Sequence, residues 1–433
     1  MIALNHQFGS GACQHYQESA MSISRRDLFV GAACSVVGGA IGAGALNSLS
    51  MQNPINVEDY RKLAQSRLPK MVFDFLEGGA GDERALAHNR TIFDRVNFQP
   101  KRLTDVSKRD LSIELFGKKQ VAPIMIAPTG LNGCFWPEGD IALARAAEKA
   151  GIPFALSSAS TSTIEEVAQE AGGDKWFQLY VLNRAFSQEL VERARDAGYT
   201  KLILTTDVGV NGLRERDIRS GFKVPMQISP SVILDGVTHP RWSFDFMTNG
   251  MPQLANFVSK DAGDVTKQAA IMNRAMDAGF DWEGLRWLRT IWPHELLVKG
   301  LMRADDAVRC VAEGADGVIL SNHGGRQLND ALAPFQVIAE TRNRITQPIL
   351  VDSGYRRGSD IVKALALGAN SVLLGKATLY GLASRGEHGV SEVIKLLIAE
   401  IDNTMAQIGC ANARDITPDY IVEDSRSILA PLV

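Results

Sequence analysis

The chain is short of the features that mark several large classes of protein. It has five cysteines among 433 residues, no two of them form a CxxC pair, and none stands at metal-ligand spacing from the seven histidines. A zinc site and a disulfide framework are therefore not expected. The formal net charge is −3, from 46 basic and 49 acidic residues, and no long run of one sign occurs. This balance does not indicate a nucleic-acid partner, and an acidic substrate would have to be bound by a few placed arginines.

Residues 1–20 lack the pattern of a core strand or helix. Arg25 and Arg26 precede an uncharged stretch from 30 to 46, and an Ala-Gly-Ala sequence near its end resembles a signal cleavage site. This arrangement is typical of a twin-arginine export signal. We expect residues 1–50 to be an export signal or a disordered leader, which places the protein in the periplasm or at the inner membrane. An apolar surface helix or an anchor, with the protein on the cytoplasmic face of the membrane, is the alternative.

Residues 51–425 are expected to form one domain. From about residue 120, eight short apolar runs occur in series, and stretches of helical periodicity separate them. Such runs fit strands that are buried on both faces. Eight βα units predict a (β/α)8 TIM barrel, and because no GxGxxG motif follows the first run, the barrel is favoured over a doubly wound open sheet. The runs are 123–127, 153–157, 176–180, 201–206, 295–299, 317–321, 348–352 and 371–375.

Two additions to the barrel are expected. Residues 57–119 are predicted to form an N-terminal helical cap. Residues 208–294, between the fourth and fifth runs, are too many for an ordinary βα loop. This insertion contains an apolar segment at 228–246 and should lie on the active-site face. A lid, a partner surface and a membrane-contacting patch at 228–257 all fit it, as does a buried packing loop.

Polar residues and glycines follow the runs, at the strand ends where barrel enzymes carry their chemistry. Glycines after the last two strands allow backbone N–H groups to approach an anion, and phosphate commonly binds there. Two cations nearby strengthen this expectation of a phosphate-bearing cofactor. The residues at the strand ends are Pro128, Thr129, Gly130, Ser157, Gln178, Tyr180, Thr205, Asp207, Lys299, Ser321, His323, Arg326, Asp352, Gly354, Arg356, Gly375 and Lys376.

His323 stands out among the seven histidines, because Gly324 and Gly325 free the backbone after it and Arg326 follows. A histidine is a suitable base near neutral pH, and a carboxylate such as Asp207 would orient it and favour its protonated form. Arg326 and Arg214 can grip a carboxylate bidentately, although surface salt bridging is the usual role of an arginine. Lys299 could form a Schiff base, stabilise negative charge on an electron-rich ring, or lie on the surface.

The segment from Ser321 to Leu328, Ser-Asn-His-Gly-Gly-Arg-Gln-Leu, resembles the signature of the family of FMN-dependent enzymes that oxidise 2-hydroxy acids. Glycolate oxidase, lactate oxidase, flavocytochrome b2 and mandelate dehydrogenase belong to that family. The likeness runs from about Asn56 to Asp419. Segments 239–243 and 250–257 resemble the long insertion of the bacterial (S)-mandelate dehydrogenases, which contacts the membrane.

The resemblance implies FMN as cofactor and a role for each matching residue. It makes His323 the base, Asp207 its carboxylate partner and Lys299 the lysine beside the flavin N1–C2=O edge. Substrate contacts fall on Arg214, Arg326, Tyr180 and the position of Phe75. The flavin ring and ribityl contacts implied are Pro128, Thr129, Gly130, Ser157, Gln178, Thr205 and Ser321, and those of the ribityl and phosphate end are Asp352, Gly354, Arg356, Gly375 and Lys376.

Four positions depart from the family pattern or are informative within it. Phe75 replaces a tyrosine that usually bonds the substrate carboxylate, and Lys376 replaces an arginine, which keeps the charge but loses the bidentate fork. Leu213 replaces a tyrosine of the mandelate dehydrogenase branch. Gly130 stands where oxidases of the family tend to have alanine, which favours poor reaction with oxygen.

The activity implied is FMN-dependent oxidation of a mandelate-like (S)-2-hydroxy acid, with electrons passed to a membrane acceptor such as a quinone. A dehydrogenase or oxidase of lactate or another aliphatic 2-hydroxy acid is the alternative within the family. Outside it stand a flavin-dependent isomerase, which should lack the paired arginines, and a non-catalytic hydroxy-acid binding protein. Members of the family are often tetramers, so the resemblance also implies a homo-oligomer.

Overall fold

The computed structural model describes residues 53–222, 230–257 and 276–423, so the export signal expected at 1–50 lies outside the described residues. The described chain begins with the cap, whose first helix starts where the Asn56 side chain accepts a hydrogen bond from the N–H of Asp59. Helical structure in the cap ends at Arg95, and short strands that the sequence analysis did not anticipate follow. The cap elements are α1 (Val57–Arg67), α2 (Lys70–Glu77), α3 (Arg84–Thr91), β1 (Val96–Phe98), β2 (Ile113–Leu115) and β3 (Lys118–Gln120).

Eight parallel strands form a closed barrel, which confirms the predicted fold class. Most strand residues are buried, as expected for strands covered on both faces. The order around the barrel follows the chain, and the last strand pairs with the first. The barrel strands are β4 (Ile124–Ile126), β5 (Phe154–Ser157), β6 (Lys175–Leu179), β7 (Lys201–Thr205), β8 (Glu295–Leu301), β9 (Gly317–Leu320), β10 (Ile349–Val351) and β11 (Ser371–Leu374).

Helices between the strands form the outer layer. The final helix is kinked at Arg385 and Gly386 and packs against both α1 and the first barrel helix. After it, β12 (Ile421–Glu423) pairs antiparallel with β1, so the end of the domain returns to the cap. The barrel helices are α4 (Gly139–Ala150), α5 (Ile164–Glu170), α6 (Arg184–Asp196), α10 (Trp282–Ile291), α11 (Ala304–Ala312), α12 (Ile338–Arg342), α13 (Gly358–Ala366) and α14 (Lys376–Ile408).

The insertion between β7 and β8 contributes α7 (Glu215–Ser220), α8 (Pro230–Thr238) and α9 (Pro240–Asn249). Helix α9 is attached to the barrel by a buried tryptophan, since Trp242 Nε1 donates to the carbonyl of Cys134 at 2.8 Å. An ion pair of 2.7 Å between Arg67 and Asp245 joins the same helix to the cap. Within the ranges given above, no helix is long and apolar enough to cross a membrane.

A buried cation closes the end of the barrel opposite to the loops that carry polar residues. Lys201, at the start of β7, is 1% exposed, and its Nζ lies 3.3 Å from Asp174 Oδ1 and 5.3 Å from the centre of the Trp176 ring. Asp174 also pairs at 2.8 Å with Lys118, whose side chain is 47% exposed. Asp174 also accepts a hydrogen bond from Trp176 Nε1 at 3.0 Å, so this one carboxylate joins a buried lysine, an exposed lysine and the indole.

Replacing Asp174 with alanine should lower the free energy of unfolding by about 3–5 kcal/mol, because it leaves the Lys201 charge buried without its partner. Lys118→Ala removes only the exposed pair and should cost about 0–1 kcal/mol. Urea unfolding followed by tryptophan fluorescence measures both. Equal losses in the two variants would contradict a structural role for the buried ion pair.

Candidate active site

A cavity of about 600 Å³ opens at the carboxyl ends of the barrel strands, bordered by the cap and the insertion. It gathers nearly all of the residues that the sequence analysis singled out. Asp207, Ser157 and Ser321 are not on its wall and instead contact side chains that are. The predicted residues that line the cavity are Phe75, Pro128, Thr129, Gly130, Gln178, Tyr180, Thr205, Arg214, Lys299, His323, Arg326, Asp352, Gly354, Arg356, Gly375 and Lys376.

His323 lies in the loop after β9 and is held by Asp207, which follows β7. Its Nδ1 lies 3.0 Å from Asp207 Oδ1, and its ring is stacked beside the ring of Tyr180, with 6.4 Å between the centroids. The backbone at His323 has a φ of 58°, which is uncommon for a residue with a side chain. Since Asp207 engages Nδ1, Nε2 is the nitrogen left to act on a ligand.

The electrostatic environment keeps His323 neutral near pH 7. Burial lowers its pKa below 6.5, Asp207 opposes this shift, and the positive charges of Lys299 and Arg214 add to it. Asp207 therefore favours the protonated form, as expected, but burial outweighs it. Burial by itself would raise the pKa of Asp207, yet His323 and Lys299 bring it below 3.8, so this carboxylate is ionised.

Lys299 is 4% exposed and occupies the middle of a polar network between three strand ends. Its Nζ donates to Ser321 Oγ at 2.7 Å and forms an ion pair of 2.8 Å with Asp352. Burial disfavours its charge, but Asp352 and Asp207 outweigh burial and raise its pKa above 10.5. The surface alternative for this lysine is therefore wrong, and its ammonium group is a fixed positive charge in the cavity wall.

The two candidate arginines lie on one side of the cavity. Arg326 Nη1 donates to the carbonyls of Phe75 and Gly78, both at 2.8 Å, at the C-terminal end of α2. Arg214 is 7% exposed, and its Nε donates to the Arg326 carbonyl at 3.3 Å. Burial lowers the pKa of Arg326, although a guanidinium stays charged in proteins. Two arginines in one cavity wall suit a carboxylate ligand.

An aromatic wall, formed by Phe75, Phe135 and Phe222, borders the arginines. The Phe75 ring stacks on Phe222 at 4.1 Å with an interplanar angle of 9°, and it lies 6.1 Å from Phe135. The Arg326 guanidinium carbon is 5.1 Å from the centre of the Phe75 ring. Phe135 and Phe222 were not predicted as site residues, because an isolated phenylalanine carries no signal that separates a cavity wall from the core.

A hydrogen-bonded row of side chains crosses three adjacent strands under the cavity. Ser157 Oγ donates to Gln178 Oε1 at 2.8 Å, and Gln178 Nε2 donates to Thr205 Oγ1 at 2.9 Å. The row presents amide and hydroxyl groups at the cavity floor. Such groups suit the polar edge of a heteroaromatic ring.

The other end of the cavity is built for an anion. Burial and the positive charges of Arg326 and Arg356 keep the pKa of Lys376 well below 10.5. Its Nζ donates to the carbonyl of Glu77 at 2.6 Å, and a Cβ added at Gly375 would meet nothing closer than 3.9 Å. A phosphate placed here would relieve the repulsion between the cations and could approach the backbone at Gly375. The residues present therefore fit the FMN that the resemblance implies.

Gly130 marks a narrow part of the cavity. A Cβ added there would lie 3.0 Å from the carbonyl oxygen of Ala159 and 3.1 Å from its Cβ. Alanine at this position would therefore press against the neighbouring loop or move it. Glycine avoids this contact.

The family model described as FMN-dependent dehydrogenase matches residues 64–423. Among characterised relatives, (S)-mandelate dehydrogenase of Pseudomonas putida is 61% identical over 381 residues, which cover 88% of this chain and 97% of the relative. L-lactate oxidase of Nostoc sp. is 38% identical over 382 residues, which cover 86% of this chain and 99% of the relative.

Solved structures agree with these relatives. A crystal structure described as the monotopic membrane protein (S)-mandelate dehydrogenase superimposes with a TM-score of 0.84 at 62% identity, and covers 86% of this chain and 100% of that one. A mandelate oxidase bound to (S)-2-phenylpropionate gives a TM-score of 0.72 at 33% identity, and the match covers 86% of this chain and 98% of that one. The expectation of an FMN enzyme is thereby confirmed, and the chain belongs to the FMN-dependent dehydrogenase family.

Proposed function

We propose that the protein oxidises an (S)-2-hydroxy acid with an aromatic side chain, of the mandelate type, to the 2-oxo acid. One observation carries the proposal: His323, held by Asp207, borders one cavity together with Arg214, Arg326 and an aromatic wall. A base, a carboxylate site and an apolar surface are the three things that such a substrate requires. The relatives named as mandelate dehydrogenase and mandelate oxidase support this choice.

Substrate binding is assigned to Arg214, Arg326 and Tyr180. The arginines take the carboxylate of the substrate, because a guanidinium can make two parallel hydrogen bonds to it. Phe75 cannot donate the hydrogen bond that a tyrosine would, and its ring instead packs on Phe222. The aromatic wall beside the arginines then faces the side chain of the substrate.

Proton transfer is assigned to Nε2 of His323, which accepts a proton from the CH–OH group of the substrate. The lowered pKa leaves this nitrogen unprotonated near neutral pH. Asp207 stabilises the imidazolium that forms, through the 3.0 Å contact at Nδ1. A positioned base of this kind contributes a factor of about 10²–10⁴ to a rate.

FMN, when bound, supplies the acceptor for the two electrons that leave the substrate. Lys299 presents fixed positive charge toward the ring, and the row of Ser157, Gln178 and Thr205 presents polar groups. The other ring and ribityl contacts are assigned to Pro128, Thr129, Gly130 and Ser321. The ribityl and phosphate end is assigned to Asp352, Gly354, Arg356, Gly375 and Lys376.

The electron acceptor is proposed to be a membrane quinone rather than oxygen. Gly130 supports this, because glycine is the residue of the dehydrogenase branch at this position. Helices α8 and α9 carry four exposed apolar residues, which we call the insertion patch: Ile233, Leu234, Phe244 and Met247. Such residues suit peripheral contact with a membrane. The related structure described as a monotopic membrane protein supports the same contact.

Anaerobic stopped-flow measurement of flavin bleaching in the FMN-loaded protein tests the activity. (S)-mandelate should bleach the flavin at least about tenfold faster than (S)-lactate or glycolate, because only its ring fills the space beside the aromatic wall. (R)-mandelate should be slow. His323→Asn should retain FMN and lose at least about 100-fold in rate.

Failure of all four acids to bleach bound flavin would remove the proposed activity. Faster reaction with an aliphatic acid would keep the chemistry but contradict the role given to the aromatic wall. Reduction of His323→Asn at the parent rate would show that the base lies elsewhere.

The dependence of kcat/KM on pH should report the His323–Asp207 pair. Only neutral His323 accepts a proton, so kcat/KM should rise with pH through its pKa and reach a plateau near neutral pH. Asp207 raises that pKa. Asp207→Asn should therefore move the acid limb to lower pH while lowering the plateau, since the imidazolium loses its counter-charge. Profiles from about pH 5 to about pH 8 measure both effects, and a limb displaced to higher pH would contradict the assignment.

Membrane contact through the insertion patch is testable with vesicles of phosphatidylethanolamine and phosphatidylglycerol. Replacing both Leu234 and Phe244 with serine should lower co-sedimentation at least about tenfold, because each side chain contributes about 1.5–3 kcal/mol when buried. Leu103→Ser is the matched control, since Leu103 is fully exposed but lies outside the insertion. Equal binding by the parent and the double variant would exclude the patch as the contact.

We also propose that residues 1–50 act as a twin-arginine export signal for the domain at 51–425, and that the protein is a homotetramer. A cytoplasmic location at the inner face of the membrane is the alternative to export. Fractionation of cells that express the chain with Arg25 and Arg26 replaced by lysine decides the location. Sedimentation-velocity measurements determine whether the protein is a tetramer.

A further inference from the structure

The loop that carries His323 has three consecutive residues with left-handed backbone. The φ angles of His323, Gly324 and Gly325 are 58°, 67° and 74°. A histidine in this conformation is strained, and the surrounding structure has to hold it there. Each of the three N–H groups donates to a side chain at 3.0 Å, and the acceptors are, in order, Ser321 Oγ, Ser353 Oγ and Asn322 Oδ1.

The third of these acceptors uses its full hydrogen-bonding capacity. Asn322 Oδ1 accepts from Gly325 N–H and from Asn89 Nδ2 at 2.9 Å. Its Nδ2 donates to Asn89 Oδ1 at 2.8 Å and to the carbonyl of Leu332 at 2.9 Å. A side-chain amide has two donor hydrogens and two acceptor lone pairs, so all four positions are taken. Asn89 is the partner in two of these four hydrogen bonds.

Asn89 belongs to the cap rather than to the barrel. It lies on α3 and is 1% exposed. The helix backbone packs directly on the loops, since a Cβ at Gly325 would lie 2.5 Å from the nitrogen of Leu86, and one at Gly354 would lie 2.0 Å from the carbonyl oxygen of Asn89. The paired amides are thus a rigid link between the cap and the turn that aims His323.

We propose that Asn89 is a positioning residue for His323. Its side-chain amide makes two hydrogen bonds that hold Asn322, and Asn322 holds the left-handed turn that directs the imidazole into the cavity. The inference rests on the proposed function, in which His323 is the base. Asn89 borders the cavity, but in this role it acts on His323 through Asn322. Its loss should therefore affect the proton-transfer step more than substrate binding.

The test is Asn89→Ala in the FMN-loaded protein. Displacing a reacting group by about 1 Å can cost about 10²-fold, so the flavin-bleaching rate per bound FMN at saturating (S)-mandelate should fall about 10- to 100-fold. KM should change less than about threefold, since Arg214 and the Arg326 guanidinium have other partners. Hydrogen–deuterium exchange should increase in the peptide that contains Gly325. Asn89→Ser is the second variant if the alanine variant does not accumulate. Its single hydroxyl cannot replace the two reciprocal hydrogen bonds of the amide, so the same result is expected.

Ile92→Ala is the matched control, because Ile92 is a buried residue directly after α3 and makes no bond to Asn322. It should lower thermal stability while leaving the bleaching rate per bound FMN and the exchange at Gly325 near those of the parent. The inference is overturned if both Asn89 variants bleach at the parent rate, or if Ile92→Ala slows bleaching as much as they do. Failure of the proposed function is distinguishable, because the parent protein would then not bleach with any 2-hydroxy acid.

Discussion

Positive charge enclosed in one cavity is the constraint on which the rest of the site depends. Lys299, Arg214, Arg326 and Lys376 line the same space. Burial and the neighbouring positive charges lower the pKa values of His323 and Lys376. Enclosing cations costs free energy unless anions or oriented dipoles compensate them. The protein compensates Lys299 with Asp352 and Asp207. The pKa values of Arg326 and Lys376 stay lowered although carboxylates act on both. A substrate carboxylate and a cofactor phosphate would add negative charge that favours the charged form of these two side chains.

Helix α2 supplies part of the missing compensation through its backbone. The carbonyls at its C-terminal end accept from Arg326 and from Lys376, where the negative end of the helix dipole favours cations. The backbone carbonyls therefore hold both cations, and the carboxylates of Asp217 at Arg326 and Glu77 at Lys376 also favour the charged forms. The cap is therefore part of the site, and not only a cover for the end of the barrel.

The sequence predicted the barrel well because buried parallel strands have a strong local signal. The eight apolar runs agree with the eight strands to within a few residues, and the polar residues at their ends converge as expected. Strands β1 and β12 were missed, since three-residue strands that pair across more than 300 residues have no local pattern. The contact between His323 and Asp207 was predicted, but the net direction of the His323 pKa depends on burial. The positions of Phe222 and Asn89 in the cavity wall could not be predicted, because they depend on contacts between distant segments.

The pairing of β12 with β1 affects the order in which the protein can fold during synthesis. The cap is made first, yet it is joined to the final strand of the domain, and its helices pack on loops that are made late in synthesis. Contacts of such long sequence separation form only after a large loss of chain entropy, and folds rich in them assemble slowly. The cap therefore cannot complete its contacts until the last strand, β12, has been synthesised. A ribosome-bound fragment that lacks the later strands cannot form the complete cavity. A product truncated before β12 would lose the β1–β12 pairing that joins the two ends of the domain.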